Sequence, residues 1–438
     1  MVQESPVNAL GMFPSDRHKG GIPSWWAPRG VALRNTHINE FPNKARSAIT
    51  ATTVNVSDVD YDRCKSWLQQ CERSHGQPCE TRGEPRRFSV PLTIIDCTTW
   101  EIKQIDDADD YMALSYVWGA SQSKTSGPNR HEVPADASQV IQDAMKVVTR
   151  LGMRYLWVDQ YCVNQHEHDI KNTQIGEMDQ IYAGAYATIV AAAGSNARYG
   201  LPGVSRPRSH TQSSLITEQF EIQSSLPDLF YAVSDSVWGH RAWTYQEAVL
   251  SRRCLFFTEY QVYLACPRIS QSEAVTIQTH HLQALGNSPL AQLNMTEPFW
   301  FRRLPGNKDQ SAFRQLANHI AEYNRRSLTY ETDRMNALRG LLARSTLYSF
   351  YGLPIVTDSH SSPMGSNTSF DIGFAMGLWW GRDDGPQSNA MSRRPQFPSW
   401  TWVGWNGVIG YEPEYIYTGK GHESLVMQVD KRRFQIGF

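Results

Sequence analysis

Two short stretches of this sequence assemble side chains that could act on a small polar molecule. In Trp238-Gly-His-Arg241-Ala-Trp243-Thr-Tyr-Gln-Glu247, Trp243 and Glu247 stand four residues apart, which puts them on one face of a helix. Arg241 lies off that face, but its side chain is long enough to reach the same cleft. An indole, a guanidinium and a carboxylate suit a nucleotide or a sugar: the ring stacks on a base, the Arg pairs with phosphate, and the Glu holds ribose hydroxyls. The plainer alternative is a surface helix with an Arg–Glu ion pair and a buried Trp. The second stretch is split. Ser115, Tyr116 and Trp118 end one apolar run, and Asp159 directly follows another, Tyr155-Leu-Trp-Val158. An acid in that position either faces a ligand or serves as a helix cap or structural hydrogen-bond acceptor.

Two other groups have metal-ligand residue types. Cys71-x3-His75-x3-Cys79, with Cys64 nearby, lacks the C-x2-C pair of common zinc sites. It reads as a packing cluster, and no metal is expected there. His166-Glu167-His168-Asp169 points its side chains in different directions and reads as a solvated helix start, with Asp169 favoured by the dipole. The sequence contains no Walker loop, no GxGxxG after a strand, no GxSxG elbow and no HExxH.

The elements that must position these residues follow from periodicity. Tyr111 to Val117, Tyr155 to Val158 and Tyr186 to Ala192 are strand candidates. Between them, Ile141, Ala144, Met145, Val148 and Leu151 recur at helical spacing, with Asp136 expected as the cap and Gly152 as the stop. A second helix is expected over about 169–184. The resulting β-α-β-α-β pattern is that of a parallel sheet wrapped by helices. Ligands of such sheets bind outside the carboxyl ends of the strands. Those ends are Trp118-Gly119, Asp159-Gln160 and Gly194-Ser195-Asn196, so Trp118, Asp159 and Ser195 are expected to border one crevice.

Upstream, residues 1–60 read as an irregular arm, followed by a short helix from Tyr61 and a strand over Val90 to Asp96. Downstream, Trp238 to Leu250 reads as helical, Arg253 to Phe257 and Gln261 to Ala265 as strands, and Phe313 to Tyr323 and Asp333 to Leu342 as helices. From Ser399 onward aromatic and polar residues alternate as in short strands.

Composition bounds the class. The chain has 438 residues, of which 40% are hydrophobic and 19% charged: enough apolar material for a sizeable core, with too little charge for a disordered chain. Lys and Arg total 42 against 43 acids, so there is no general attraction to nucleic acid or anionic membrane. The 14 Trp predict large aromatic clusters. Seven dispersed cysteines do not resemble a disulfide framework, and all are expected to be reduced. No signal peptide or span-length apolar stretch is evident, and a soluble cytoplasmic protein is expected.

Tyr111-Met-Ala-Leu-Ser-Tyr-Val-Trp-Gly119, Tyr155-Leu-Trp-Val-Asp-Gln-Tyr-Cys-Val-Asn-Gln165, Met178-Asp-Gln-Ile-Tyr182 and Arg241-Ala-Trp-Thr-Tyr-Gln-Glu247 resemble, in order and spacing, the motif series of the fungal heterokaryon-incompatibility (HET) domain. The resemblance is close over about 111–267. It extends weakly to Trp67…Cys71…His75…Cys79 upstream, and to Leu328-Thr-Tyr…Asp333, Gly377-Leu-Trp379 and Ser399-Trp-Thr-Trp402 downstream. It implies an arm over 1–60, a HET domain with its lead-in over 61–275, and an α+β extension over 276–438. The role implied is fungal self/non-self recognition and regulated cell death.

HET domains also resemble TIR domains remotely, which implies an α/β fold with a TIR- or flavodoxin-like, parallel-rich sheet. Trp243-Thr-Tyr-Gln-Glu247 resembles the TIR segment whose Glu is catalytic in NAD cleavage. On that resemblance Glu247 is the catalytic residue, Ser115, Tyr116, Trp118, Asp159, Arg241 and Trp243 bind substrate, and NAD is a substrate rather than a resident cofactor. Two other readings stand beside it: a non-catalytic HET module that signals by self-association, and a HET-scaffold enzyme acting on a fungal secondary metabolite.

Overall fold

The computed structural model describes residues 8–10, 31–34, 49–76, 79, 88–105, 110–119, 131–164, 167–216, 221–224, 226–277, 310–355, 374, 376–382 and 391–411. The chain forms two compact units. One is Met1–Gly239 with Ser251–Phe301, the other His240–Leu250 with Arg302–Phe438.

The first unit is built on an eight-stranded sheet. Its strands are β1 (Leu92–Asp96), β2 (Ile102–Ile105), β3 (Tyr111–Ser115), β4 (Tyr155–Trp157), β5 (Ala187–Ala191), β6 (Cys254–Phe257), β7 (Val262–Ala265) and β8 (Ser270–Ser272). They lie in the order β8-β7-β6-β5-β3-β4-β1-β2. The four central strands, β6-β5-β3-β4, are parallel. The pairs on either side are antiparallel. The fold is α/β, as expected. Numbered among themselves, the parallel strands run 2-1-3-4, the doubly wound order in which winding reverses between the first and third strands. Every residue of β3, β5 and β6 is buried, which is what continuous apolar runs produce when both faces of a sheet are covered.

The helices of this unit are α1 (Tyr61–Ser74), α2 (Gln139–Arg150), α3 (Asp159–Cys162), α4 (His168–Gly176), α5 (Met178–Gly184) and α6 (Leu229–Ser234). Helix α2 buries Val140, Ile141, Ala144, Met145, Val147 and Val148. Its cap is Ser138 rather than Asp136. Asp136 lies inside the turn closed by the Ala137 N–H on the Pro134 carbonyl (2.9 Å), two residues short of the helix. Gly152 does stop α2, with φ +82° and its N–H on the Thr149 carbonyl, a left-handed conformation that costs glycine little. The expected single helix over 169–184 is two. It breaks after Gly176, where the Glu177 N–H is shared between the Thr173 and Gln174 carbonyls.

At the end of β1, buried Asp96 accepts hydrogen bonds from Lys103 Nζ (2.6 Å) and Arg154 Nε (2.9 Å). Burial pushes this carboxyl up, but Arg154 and Lys103 outweigh it and hold the group below the usual carboxylate range.

The segment expected to be irregular contributes strands. Asn8–Leu10 and Val31–Arg34 join Glu221–Ser224 and Ser214–Ile216 in a four-stranded antiparallel sheet, and Ile49–Ala51 pairs with Val275–Ile277. Apart from the first pairing, these partners lie far along the chain, so no local periodicity announces them.

The second unit contains α7 (Ala242–Leu250), α8 (Gln310–Asn324), a 3-10 turn at Glu331–Arg334, α9 (Asn336–Arg344) and three two-stranded antiparallel ribbons. Buried donors tie it together: Tyr323 Oη to the Arg334 carbonyl (2.6 Å), Asn324 Nδ2 to the Gly407 carbonyl (2.7 Å) and Trp402 Nε1 to the Gly352 carbonyl (2.9 Å). The alternation from Ser399 onward yields a 3-10 turn, Trp402–Gly404, and two short strands. Residues 412–438, and the Ser-rich stretch 359–367, lie outside the described residues.

Candidate functional site

The winding reversal between β3 and β5 brings polar residues together at the carboxyl ends of the parallel strands. Just beyond β3, the half-buried Trp118 donates its indole N–H to both oxygens of Asp159, at 3.1 and 2.9 Å. Asp159 opens α3 after β4 and also accepts the Gln160 backbone N–H at 2.8 Å. It therefore orients the indole and orders the first turn of α3 at once. Tyr116 Oη donates to Gln160 Oε1 at 3.1 Å. Ser115 Oγ, fully buried, accepts Trp238 Nε1 at 2.8 Å.

After β5, the Ala197 N–H reaches the Trp118 carbonyl at 3.4 Å. A Cβ on Gly119 would lie 2.7 Å from Asn196 Cβ, so only glycine permits this approach, and its φ of +89° demands the same residue. Ser195 sits one residue before this contact and receives the Asn196 side-chain amide. Trp118 and Asp159 are thus bonded directly, and the strand-end segments of β3, β4 and β5 converge.

Arg241, Trp243 and Glu247 belong to the second unit. Ala242 N–H bonds the Ser327 carbonyl and Ser327 N–H bonds the His240 carbonyl, which fixes the entry to α7. Within α7, Tyr245 Oη lies 2.7 Å from His319 Nδ1, Arg326 stacks over the Tyr245 ring at 4.6 Å, and Gln246 Oε1 accepts the Gly340 N–H at 2.8 Å. Burial pushes the Tyr245 phenol well above its ordinary range. Trp243 and Arg241 are half-buried, whereas Glu247 is only 7% exposed. Two consecutive residues of the motif, Tyr245 and Gln246, therefore fasten the helix to its own unit. Thr244 acts locally, donating to the Arg241 carbonyl one turn back.

The family model for "Heterokaryon incompatibility protein (HET)" matches residues 111–247. Residues 111–247 are a HET domain. This HET span contains Ser115, Tyr116, Trp118, Asp159, Arg241, Trp243 and Glu247. The chain is similar to heterokaryon incompatibility protein 6, OR allele, of Neurospora crassa, being 25% identical over 203 residues that cover 36% of this chain and 30% of that protein. The chain thus spans under a third of the length of that curated relative. No solved structure matches. No helix among the described residues is long and apolar enough to cross a membrane.

Outside the HET span, Cys71, His75 and Cys79 are joined by Cys266, and one ligand-type atom from each lies within 4.8 Å of all the others. Hydrogen bonds from Cys266 and Cys79 hold the Cys71 thiol below its usual range, and bonds to Cys266 and Cys71 push His75 up to about 9. The residue spacing showed three of these groups but gave no sign of the fourth, which follows β7 far along the chain. The Trp238–Ser115 bond was equally invisible, because nothing in the spacing links residues so distant.

Proposed function

We propose that this protein is an effector of fungal non-self recognition that cleaves the N-glycosidic bond of NAD with Glu247 as the essential carboxylate and, as a separate proposal, that the strand ends of the first unit bind a nucleotide. The observation that carries the binding part is Trp118 held on Asp159 at the winding reversal of the parallel sheet. An oriented, half-buried indole offers a base a stacking face.

The chemistry asks little of the protein. The bond from ribose C1′ to nicotinamide breaks with its electron pair passing to the ring nitrogen, which loses its positive charge and needs no general acid. Water bonds to C1′ and releases a proton. One carboxylate facing the developing oxocarbenium ion can suffice.

A second reading is favoured by one observation: Glu247 is 7% exposed in a helix anchored through Tyr245 and Gln246. In that reading Glu247 is scaffold and the domain signals without cleaving NAD.

Nicotinamide release from NAD by the purified full chain, measured beside Glu247→Gln with thermal stability read on the same samples, decides between them. The enzymatic reading expects release that falls about 10²–10³-fold in a variant of unchanged stability. An intact chain that releases no nicotinamide, with a variant that melts earlier, supports the scaffold reading.

A further inference from the structure

We infer that Cys71, His75, Cys79 and Cys266 form a closed Cys3His site for Zn2+ that clamps the end of α1 to the end of β7. The spacing alone argued against a metal because it offered three ligands in an unfamiliar pattern. The fold supplies the fourth.

The backbone delivers each ligand for an identifiable reason. Cys71 lies in the last turn of α1 and His75 is its C-cap, with the His75 N–H on the Cys71 carbonyl. The two side chains, four residues apart, therefore emerge on one side. Gly76 follows with φ +60° and nothing crowding it, and its carbonyl accepts the Cys79 N–H at 2.9 Å. That turn reverses the chain and returns Cys79 to the helix end. Cys266 immediately follows β7.

The distances fit. Zn–S bonds of about 2.3 Å and a Zn–N bond of about 2.0 Å in a tetrahedron place sulfurs about 3.8 Å from one another and about 3.5 Å from the nitrogen. His75 Nδ1 lies 3.4 Å from Cys266 Sγ and 3.8 Å from Cys79 Sγ. All three cysteines are fully buried and none is in a disulfide.

The surroundings call for a negative centre. Arg253, fully buried at the foot of β6, donates Nε–H to Cys71 Sγ at 3.3 Å and Nη2–H to the Cys79 carbonyl. Its remaining contacts are the Tyr186 carbonyl (2.7 Å) and the Tyr186 ring. Among the described residues it meets no carboxylate. A guanidinium keeps its charge, and a buried charge requires a counter-charge. Three thiolates, one neutral imidazole and Zn2+ sum to a single negative charge beside it. The Arg268 backbone N–H points at Cys266 Sγ from 3.4 Å, a second donor suited to a metal-bound thiolate. Three sulfurs and an imidazole select zinc among available divalent ions, and four protein ligands make the site structural rather than catalytic. Binding sends the thiol protons to solvent.

The test uses the unmodified full chain, purified under reducing conditions without chelator and dialysed into metal-free buffer. Elemental analysis is expected to find about one zinc per chain. Absorption spectroscopy at the zinc edge is expected to show three sulfurs at about 2.3 Å and one nitrogen at about 2.0 Å. Cys266→Ser lowers zinc affinity at least tenfold, and Arg253→Gln lowers it by about 10–100-fold through the lost support of the ligands. Cys162→Ser, at a buried cysteine outside the cluster, leaves it unchanged. A folded chain that carries no zinc and takes none up on titration overturns the inference. So does a disulfide between two of the three cysteines, or zinc held by other ligands. The decisive reading is made on the wild-type chain, so a variant that fails to fold does not blunt it.

Discussion

Two acids of the HET span stand in contrasting surroundings. Asp159 lies half-buried at a strand end of the first unit, with both oxygens receiving one indole N–H. Glu247 lies in the middle of α7 in the second unit and is 7% exposed, between residues that bind their own scaffold. The motif series treats them alike, since each follows aromatic residues in a short signature. Burial separates them. An acid at an open strand end can exchange its partner for a ligand at small cost, whereas a buried acid cannot be altered without disturbing the groups that solvate it.

That contrast can be broken by substitution. Glu247→Ala is expected to destabilise by about 3 kcal/mol, and Asp159→Ala by less than about 1 kcal/mol, read as denaturant midpoints on matched samples. Equal losses would erase the distinction. Gly119→Ala comes next, at about 2 kcal/mol, because it meets both a positive φ and the Asn196 Cβ. If the variant is as stable as the wild type, the strand-end loops do not converge as tightly as described.

Asp96 offers a third acid of a purely structural kind. Asp96→Asn should cost about 1 kcal/mol at neutral pH, since both cations around it are partly exposed. Its folded-state pKa is depressed, so its contribution is complete above the unfolded value of about 3.9 and is lost as pH falls through the folded value. The gap between wild type and variant in melting temperature is therefore expected to be constant from about pH 7 to pH 5 and to close in more acidic buffer. A gap that widens on acidification would contradict the assignment of Lys103 and Arg154 as its partners. The smallest effect belongs to Asp136→Ala, which should stay within about 0.5 kcal/mol because the turn, not the helix, holds that residue.

The sequence carried the centre of the first unit better than its periphery. Strands β3, β5 and β6 are almost wholly apolar, with Ser115 and Thr188 the exceptions, and burial on both faces is what selects such runs, so they were legible. Strand β2, Ile-Lys-Gln-Ile, has only part-buried or exposed residues and is held by pairing with β1, which leaves no pattern to read. The strand at 31–34 depends on a partner beyond residue 210, and the strand at 8–10 is held only by pairing with 31–34. Of the site, Trp118 and Asp159 were legible because polar residues ending apolar runs mark the carboxyl edge of a sheet. Cys266 and Trp238 were not, since their partners are chosen by tertiary contact alone. The cap at Asp136 failed for a local reason: Pro134 starts a turn that consumes it.

The proposal that a nucleotide binds at the strand ends of the first unit rests on Trp118. Calorimetric titration of NAD into the full chain, beside Trp118→Ala, tests it most directly. Stacking on an aromatic ring is worth about 1–3 kcal/mol per base. The account therefore predicts saturable one-site binding that weakens about tenfold or more in a variant of unchanged melting temperature. A wild-type chain that gives no heat of binding, or a variant that binds NAD as tightly as the wild type, would contradict it.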